Sequence, residues 1–502
     1  MLRNYEIDAT WHYHNGTKHP NGMLLNRFHV YHPSHRPTPY KVYKNTSSIE
    51  LTLDKNPTGV LTLDAISSQE SFGNTTPDLK TLAKILYCSA GITKKIKFSG
   101  LGEVDFRAAS CTGALYHIEI YIVCGNIPRL DAGVYHFDPK NMRLDVIRHG
   151  DYRGLVVDAT ANEQSAREAP VILIFTDVFS RNSIKYQARA YRHTFWDSGT
   201  ILANTLAISS AHKTPTKIIA GFTDAPITKL LGVNPIQEAP ILILTLGRSE
   251  PTASSIPHLS DTVPDSVPSD YDIEYPEITQ MHDASSLLTP DEVSSWRVPL
   301  SIKKSQNTGI QLGDKAESSE LIESTIIKRG STRKFSLESI TLEQLTTILD
   351  KTTHGINTDF SVDGESLSDI YIIANAVDGL EPGSYYYAQK NNSLEKLRQG
   401  NFRNASGNLG LDQDLPYDAS VTIFFMTDLD KILKHFGNRG YRVAQLDAAI
   451  TAGKMYLASY SLGLGATGLT FYDDLVTNFF SPHAKDKEPM FLMAIGKKEK
   501  ST

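Results

Sequence analysis

Two stretches decide the fold: KYQARAYRHTFWDSGTILANTLAISSA, from Lys185 to Ala211, and HFGNRGYRVAQLDAAITAGKMYLASYSLG, from His435 to Gly463. Arg189-Ala-Tyr-Arg192 answers Arg439-Gly-Tyr-Arg442 at an offset of 250 residues (439 − 189). The correspondence extends outward. IEIYIVCGNIPRLDAGVYHFDPKNMRLDVIRHGDYR (Ile118 to Arg153) matches SDIYIIANAVDGLEPGSYYYAQKNNSLEKLRQGNFR (Ser368 to Arg403), with Tyr121 on Tyr371, Gly133 on Gly383 and Gly150 on Gly400. Both read as strand, glycine turn, strand and polar hairpin. Upstream, Leu79–Gly91 answers Leu342–Gly355 near offset 264, so the second copy is about 14 residues shorter between that helix and the strand (264 − 250). At the ends, APILILTLGR (Ala239 to Arg248) answers EPMFLMAIGK (Glu488 to Lys497).

A unit this long is no solenoid repeat. It reads as a fused dimer in which each α+β domain stands for one subunit. The expected organisation is an N-terminal arm over 1–50, a first domain over 51–248, a Pro/Ser-rich linker over 249–300 and a second domain over 301–502.

Composition narrows the function classes. The 502 residues are 40% hydrophobic and carry a formal net charge of −6 with no long basic run, which argues against nucleic acid as a partner. Three cysteines, Cys88, Cys111 and Cys124, make neither a disulfide framework nor a CxxC pair. Apolar runs such as Ala169–Phe179 are too short to span a membrane, and the first residues lack a signal-peptide core, so a cytoplasmic protein is expected. His12, His14, His19, His29, His32 and His35 cluster near the start, but their irregular spacing without Cys or acidic partners suggests packing or surface roles, and no metal site is expected.

The second copy carries KRGSTRKF, in which Arg329, Ser331 and Arg333 alternate along an extended segment. Guanidinium forks and a hydroxyl on one side of such a segment suit a phosphate. GLGATG (Gly463 to Gly468) satisfies the bare dinucleotide pattern, but it follows a helix and leads into a strand, the reverse of what that motif needs.

Taken with the helix TLEQLTTILD, the segment GLGATGL and a last strand ending in Gly plus a basic residue, this pattern resembles the nitroreductase superfamily of FMN enzymes. The resemblance implies two domains, each with a central mixed or antiparallel sheet flanked by helices. It implies that Arg329, Gly330, Ser331 and Arg333, with Lys497, hold the FMN phosphate, and that Leu469 and Thr470 lie near the flavin ring.

The first copy has ISSQE (Ile66 to Glu70) where the second has RGSTR, so both arginines are gone. It has instead RAASCTGALYH from Arg107, similar to the R-x-x-P-S-x-G-A-L-Y-P segment of the SagB-type dehydrogenases, with Ala109 and His117 where that branch has proline. Those enzymes oxidise azoline rings with FMN. The likeness assigns Ser110, Cys111, Thr112 and Gly113 to a small-residue loop over the ring, whose N–H groups could approach it. It assigns catalysis to Lys185 and Tyr186, the lysine as a base in a desolvated pocket. In the second copy SCTGALY becomes FSVDGES (Phe360 to Ser366), and Lys185-Tyr186 becomes His435-Phe436.

Each copy has thus kept the half-site the other lost. The expectation is an intramolecular pseudo-dimer, able to act as a monomer or within a higher homo-oligomer, with one complete FMN site and one vestigial site. The expected activity is an FMN-dependent dehydrogenase passing hydride from a substrate carbon, in a peptide azoline or a small metabolite, to flavin N5. An NAD(P)H-dependent nitro or quinone reductase and a degenerate flavin- or peptide-binding scaffold are the alternatives.

Overall fold

The computed structural model describes residues 3–20, 37–68, 72–98, 102–251, 257–260, 262–267, 274–301 and 309–499. Each half builds one seven-stranded sheet. The first uses β1 (Ser48–Glu50), β2 (Ile118–Cys124), β3 (Gly133–Asp138), β4 (Arg143–His149), β5 (Val171–Val178), β6 (Thr216–Ile219) and β7 (Glu238–Leu246), in the order β1-β4-β3-β2-β5-β7-β6. The second uses β8 (Ile310–Gln311), β9 (Asp369–Ala374), β10 (Gly383–Ala388), β11 (Ser393–Gln399), β12 (Val421–Thr427), β13 (Gly465–Leu469) and β14 (Glu488–Gly496), in the order β8-β11-β10-β9-β12-β14-β13. Every strand pair within both sheets is antiparallel. The central strands are buried along almost their whole length, which is why they read as Val/Ile/Phe/Tyr-rich runs rather than alternating ones.

The repeat that opens the sequence forms the two long helices Ala190–Ala211 and Arg439–Ser461, which are buried nearly all round. They pack against each other across the domain junction. Close approach requires glycine: a Cβ on Gly199 would lie 2.5 Å from the Ala449 Cβ, and one on Gly453 would lie 2.6 Å from the Ala203 Cβ. The crossing is symmetric because 199/449 and 203/453 share the repeat offset.

The paired arginines close the junction. Arg189 and Arg192 of the first domain reach Asp473 of the second at 3.1 and 2.6 Å, while Arg439 and Arg442 reach Asp224 at 2.7 and 2.9 Å. Burial opposes the charge on Asp473 and Asp224, but the two guanidiniums on each outweigh it and hold both carboxyls below their usual range. The arm joins the same junction: Thr10 Oγ1 donates to Asn438 Oδ1 at 2.7 Å, and His14 Nε2 lies 3.1 Å from Glu488.

The linker differs from expectation. Pro276–Ala284 and Pro290–Trp296 are helices, and buried Trp296 donates from Nε1 to the Phe436 carbonyl at 2.9 Å. Both helices start on a proline, a residue favoured at the first helical position. Of the linker 249–300, the second half is therefore ordered structure packed at the junction. Among the described residues no helix is long and apolar enough to cross a membrane.

Candidate active site

The segment Arg329–Arg333, expected to bind phosphate, follows the helix Ile322–Lys328. Arg329 is turned toward the first domain: its Nε donates to the Ala108 carbonyl at 2.9 Å, and its guanidinium lies 5.5 Å from the centre of the Tyr456 ring. Its Nη1 is sealed from solvent with no hydrogen-bond partner among the described residues, so a buried cationic donor awaits an acceptor. Ser331 Oγ lies 3.3 Å from Tyr456 Oη, which accepts from the Gly468 N–H at 2.6 Å. Gly330 leaves room, since a Cβ there would meet nothing nearer than the Tyr460 hydroxyl at 3.7 Å. An orphaned guanidinium donor, a serine hydroxyl and an open glycine are a donor set that fits a phosphate.

The other two cations are placed elsewhere. Arg333 is exposed, and Lys497 Nζ points to Glu338 at 3.4 Å on the surface. Leu469 ends β13, and Thr470 Oγ1 accepts from Arg189 Nη2 at 3.4 Å, which ties this turn to the other domain.

Ala108 leads into the loop Ser110–Gly113, so Arg329 lands at that loop's foot. The loop is held from below. The Ser110 carbonyl accepts from Thr200 Oγ1 at 2.8 Å. Asp197, from the first long helix, accepts the Thr112 N–H at 2.9 Å, the Thr112 hydroxyl at 2.8 Å and the Cys111 thiol at 3.0 Å. The N–H of Thr112 is therefore spent inward and does not face a ring. Burial and then the Asp197 charge push the Cys111 thiol up, so it is no nucleophile here.

Beneath Asp197 sits His117, with Nε2 2.8 Å from Asp197 and Nδ1 2.7 Å from Asp177. Burial disfavours its charge, but the two carboxylates prevail and raise it to about 9. Cys111, His117 and Asp197 bring three ligand-type atoms together. The 2.8 and 3.0 Å separations are those of direct hydrogen bonds. Ligands sharing a tetrahedral zinc with bonds of about 2.0–2.3 Å stand farther apart.

Lys185 and Tyr186 end the helix Phe179–Tyr186. Tyr186 borders the loop: a Cβ on Gly113 would lie 2.9 Å from its hydroxyl. Lys185 Nζ lies 5.0 Å from the centre of the Tyr186 ring, but the residue is exposed, which corrects the expectation of a lysine in a desolvated pocket. The helix terminus directs it to solvent. Behind Tyr186, the His193 ring packs edge-on at 4.6 Å, and its Nδ1 meets Asn182 Oδ1 at 2.8 Å. Burial, then Arg189, lowers the His193 pKa well below its ordinary value and keeps the ring neutral. Asp177, Asn182, His193 and Asp197 were not singled out from sequence. The one available signal was His117, in a position where the resembled family has proline.

The pseudo-symmetric location is built differently. Gln69 and Glu70 of ISSQE lie outside the described residues, but Gly355 packs close to the backbone of Ser68: a Cβ on Gly355 would lie 2.7 Å from the Ser68 carbonyl. The shortened loop of the second copy runs along the edge of β6, where the Ile218 N–H donates to the Asn357 carbonyl at 2.9 Å. The Asp359 carboxylate accepts the Ala220 and Gly221 N–H groups at 2.8 and 2.9 Å. Ala220 and Gly221 are the counterparts of Leu469 and Thr470. Lys454, buried in the second long helix, donates to the His354 carbonyl, and desolvation lowers its pKa to about 7.

Comparison with known proteins places this architecture. The nitroreductase family model matches residues 72–248 and again 326–497. The chain belongs to the nitroreductase family, as an oxidoreductase with two copies of the domain in tandem. A solved structure from Anabaena variabilis superposes with a TM-score of 0.77 over 98% of this chain and 99% of that one, at 24% identity, and shows the same tandem fold. Among curated proteins, a nitroreductase-like protein of Methanocaldococcus jannaschii is 28% identical over 35% of this chain and 91% of its own length. The microcin B17-processing protein McbC of Escherichia coli is 24% identical over 27% of this chain, which spans about half (52%) of McbC.

Proposed function

We propose that the chain binds one FMN between its domains and acts as a dehydrogenase on a substrate carbon. Arg329 and Ser331, with the open backbone at Gly330, hold the phosphate. Ser110–Gly113 lies over the ring, and the turn at Leu469 and Thr470 closes it from the second domain. Bound there, FMN supplies the acceptor for a hydride leaving the substrate. Tyr186 and Lys185 stand at the exposed side of the loop, where they hold or remove the accompanying proton. Neutral His193, fixed through Nδ1 by Asn182, backs the Tyr186 ring and keeps it in place.

The observation that carries this reading is the contact of Arg329 with Ala108, together with the unpaired Nη1 beside it. It joins the retained half of one copy to the retained half of the other. The opposite location supports a single site, because Asp359 takes the N–H pair there and Gly355 packs against the Ser68 carbonyl. An azoline-bearing peptide, or a small metabolite with an equivalent ring, is the substrate class we favour, on the resemblance of the Lys185-Tyr186 segment and the likeness to McbC. The likeness to the Methanocaldococcus protein favours a second reading, an NAD(P)H-dependent nitro or quinone reductase. Anaerobic stopped-flow separates the two. Rapid bleaching of the flavin by NADPH supports the reductase, whereas bleaching by an azoline peptide without NADPH supports the dehydrogenase.

A further inference from the structure

The loop over the flavin site is strained. Gly113, Ala114 and Tyr116 all have positive φ, at 65°, 52° and 48°, and two of them are not glycine. Left-handed backbone is unfavourable for a non-glycine residue, so such a loop needs to be held. Asp197 supplies that hold through Thr112 and Cys111. Asp197 is not unique to this site, because its counterpart Asp447 does similar work, accepting from Ser366 Oγ at 2.7 Å and the Ser368 N–H at 3.1 Å.

What differs is the layer beneath. In the first copy, fully buried His117 bridges Asp197 and Asp177, and Asp177 also accepts from the Thr194 hydroxyl. With a carboxylate at each ring nitrogen, both nitrogens donate and the imidazole is charged. In the second copy the corresponding residues are Leu367 and Thr427, and the Thr427 hydroxyl caps the Leu367 carbonyl at 2.9 Å. The charged bridge therefore accompanies only the loop assigned to the flavin ring. A buried ion triad is costly where packing alone would suffice, and Leu367 with Thr427 demonstrates that packing suffices for the fold.

We propose that His117, bridged to Asp177, is a positioning residue that locks Asp197 and thereby sets the shape of the Ser110–Tyr116 loop for flavin binding. The flavin half of this inference rests on the FMN reading above. Neither ring nitrogen of His117 is available to substrate. Its charge acts through Asp197, with the Cys111 thiol and neutral His193 as the other titratable groups nearby.

The test uses the full chain and the double variant His117→Leu/Asp177→Thr, which installs the residues of the second copy. Two readouts are followed, iodoacetamide alkylation of Cys111 in the apoprotein and the Kd for FMN across pH 7 to 9.5. Cys88 and Cys124 are buried, so alkylation reports Cys111. The expected results are at least tenfold faster alkylation at fixed pH and a roughly tenfold higher Kd in the variant. In the native chain, FMN affinity should fall as pH rises through about 9, where His117 loses its proton, while the variant should be weak throughout. Should the double variant fail to fold, Asp177→Asn removes the charge at constant volume and is read the same way. Equal alkylation rates and equal FMN affinities in variant and native chain would overturn the clamp. If the native chain binds no FMN, the flavin reading falls, and the alkylation rates alone decide the clamp.

Discussion

Arg329, in the second domain, donates from Nε to the carbonyl of Ala108 in the first, at 2.9 Å, and leaves its Nη1 buried without a partner among the described residues. A charge-assisted hydrogen bond is worth about 1.5–3 kcal/mol. Arg329→Ala should therefore weaken FMN binding by about 10- to 150-fold. Arg333→Ala and Lys497→Ala, at exposed positions, should change it less than about threefold. Titration followed by flavin fluorescence checks the ranking, and a larger loss for Arg333 than for Arg329 would refute the placement.

Asp473 and Asp224 each bind two arginines of the opposite domain. Asp473→Asn or Asp224→Asn should each cost about 3–5 kcal/mol, because a pair of buried guanidiniums loses its compensating charge. Denaturant titration of the single variants measures this. A loss below about 1 kcal/mol at both positions would mean that these ion pairs contribute little to holding the domains together.

Gln187, just after Tyr186, has φ 52° and ψ −144°, a conformation essentially reserved for glycine, and its counterpart Gly437 adopts φ 65° and ψ −158°. Gln187→Gly should stabilise the chain by about 1–2 kcal/mol through release of this strain. The strain lies one residue from Tyr186, so a decrease in turnover is expected alongside the gain in stability. Unchanged or lower stability on denaturant titration would show that the glutamine conformation is not strained.

Acid should loosen the junction before it unfolds either sheet. Burial, then Arg192, lowers the His14 pKa to about 4, and burial, then Arg189, lowers that of His19 to about 3. Histidines with depressed folded pKa values stabilise fully above their unfolded value near 6.5, and that stability is lost as pH falls toward the folded values. Thermal melts should show Tm falling between pH 6.5 and 4, and His14→Asn should flatten the upper part of that slope. A Tm unchanged from pH 7 to 4.5 would contradict the buried neutral assignment.

The repeat and its strands were legible in the sequence because buried central strands leave long Val/Ile/Phe runs and glycine turns at matched positions. The Arg-x-x-Arg pairs were legible as a repeat but not as a clasp, since each reaches an aspartate of the other domain. Those pairs are set by the fold's symmetry rather than by spacing. The bridge of His117 to Asp177 and Asp197 joins residues 60 and 80 apart in the chain, which nothing local announces. Lys185 was expected in a dry pocket on the resemblance of its Lys-Tyr pair to the SagB-type dehydrogenases, but a helix terminus turned it outward. The helices Pro276–Ala284 and Pro290–Trp296 were hidden by composition, since their initial prolines count as linker residues until read as helix starts.

The central claim is that two unlike halves make one flavin site. The most direct measurement is the number of flavins released per chain on denaturation, after saturation with FMN and removal of the excess, for the native protein and for Arg329→Ala. The account predicts one FMN per native chain and a large loss in the variant. Two flavins per chain, or one flavin retained undiminished by Arg329→Ala, would contradict it.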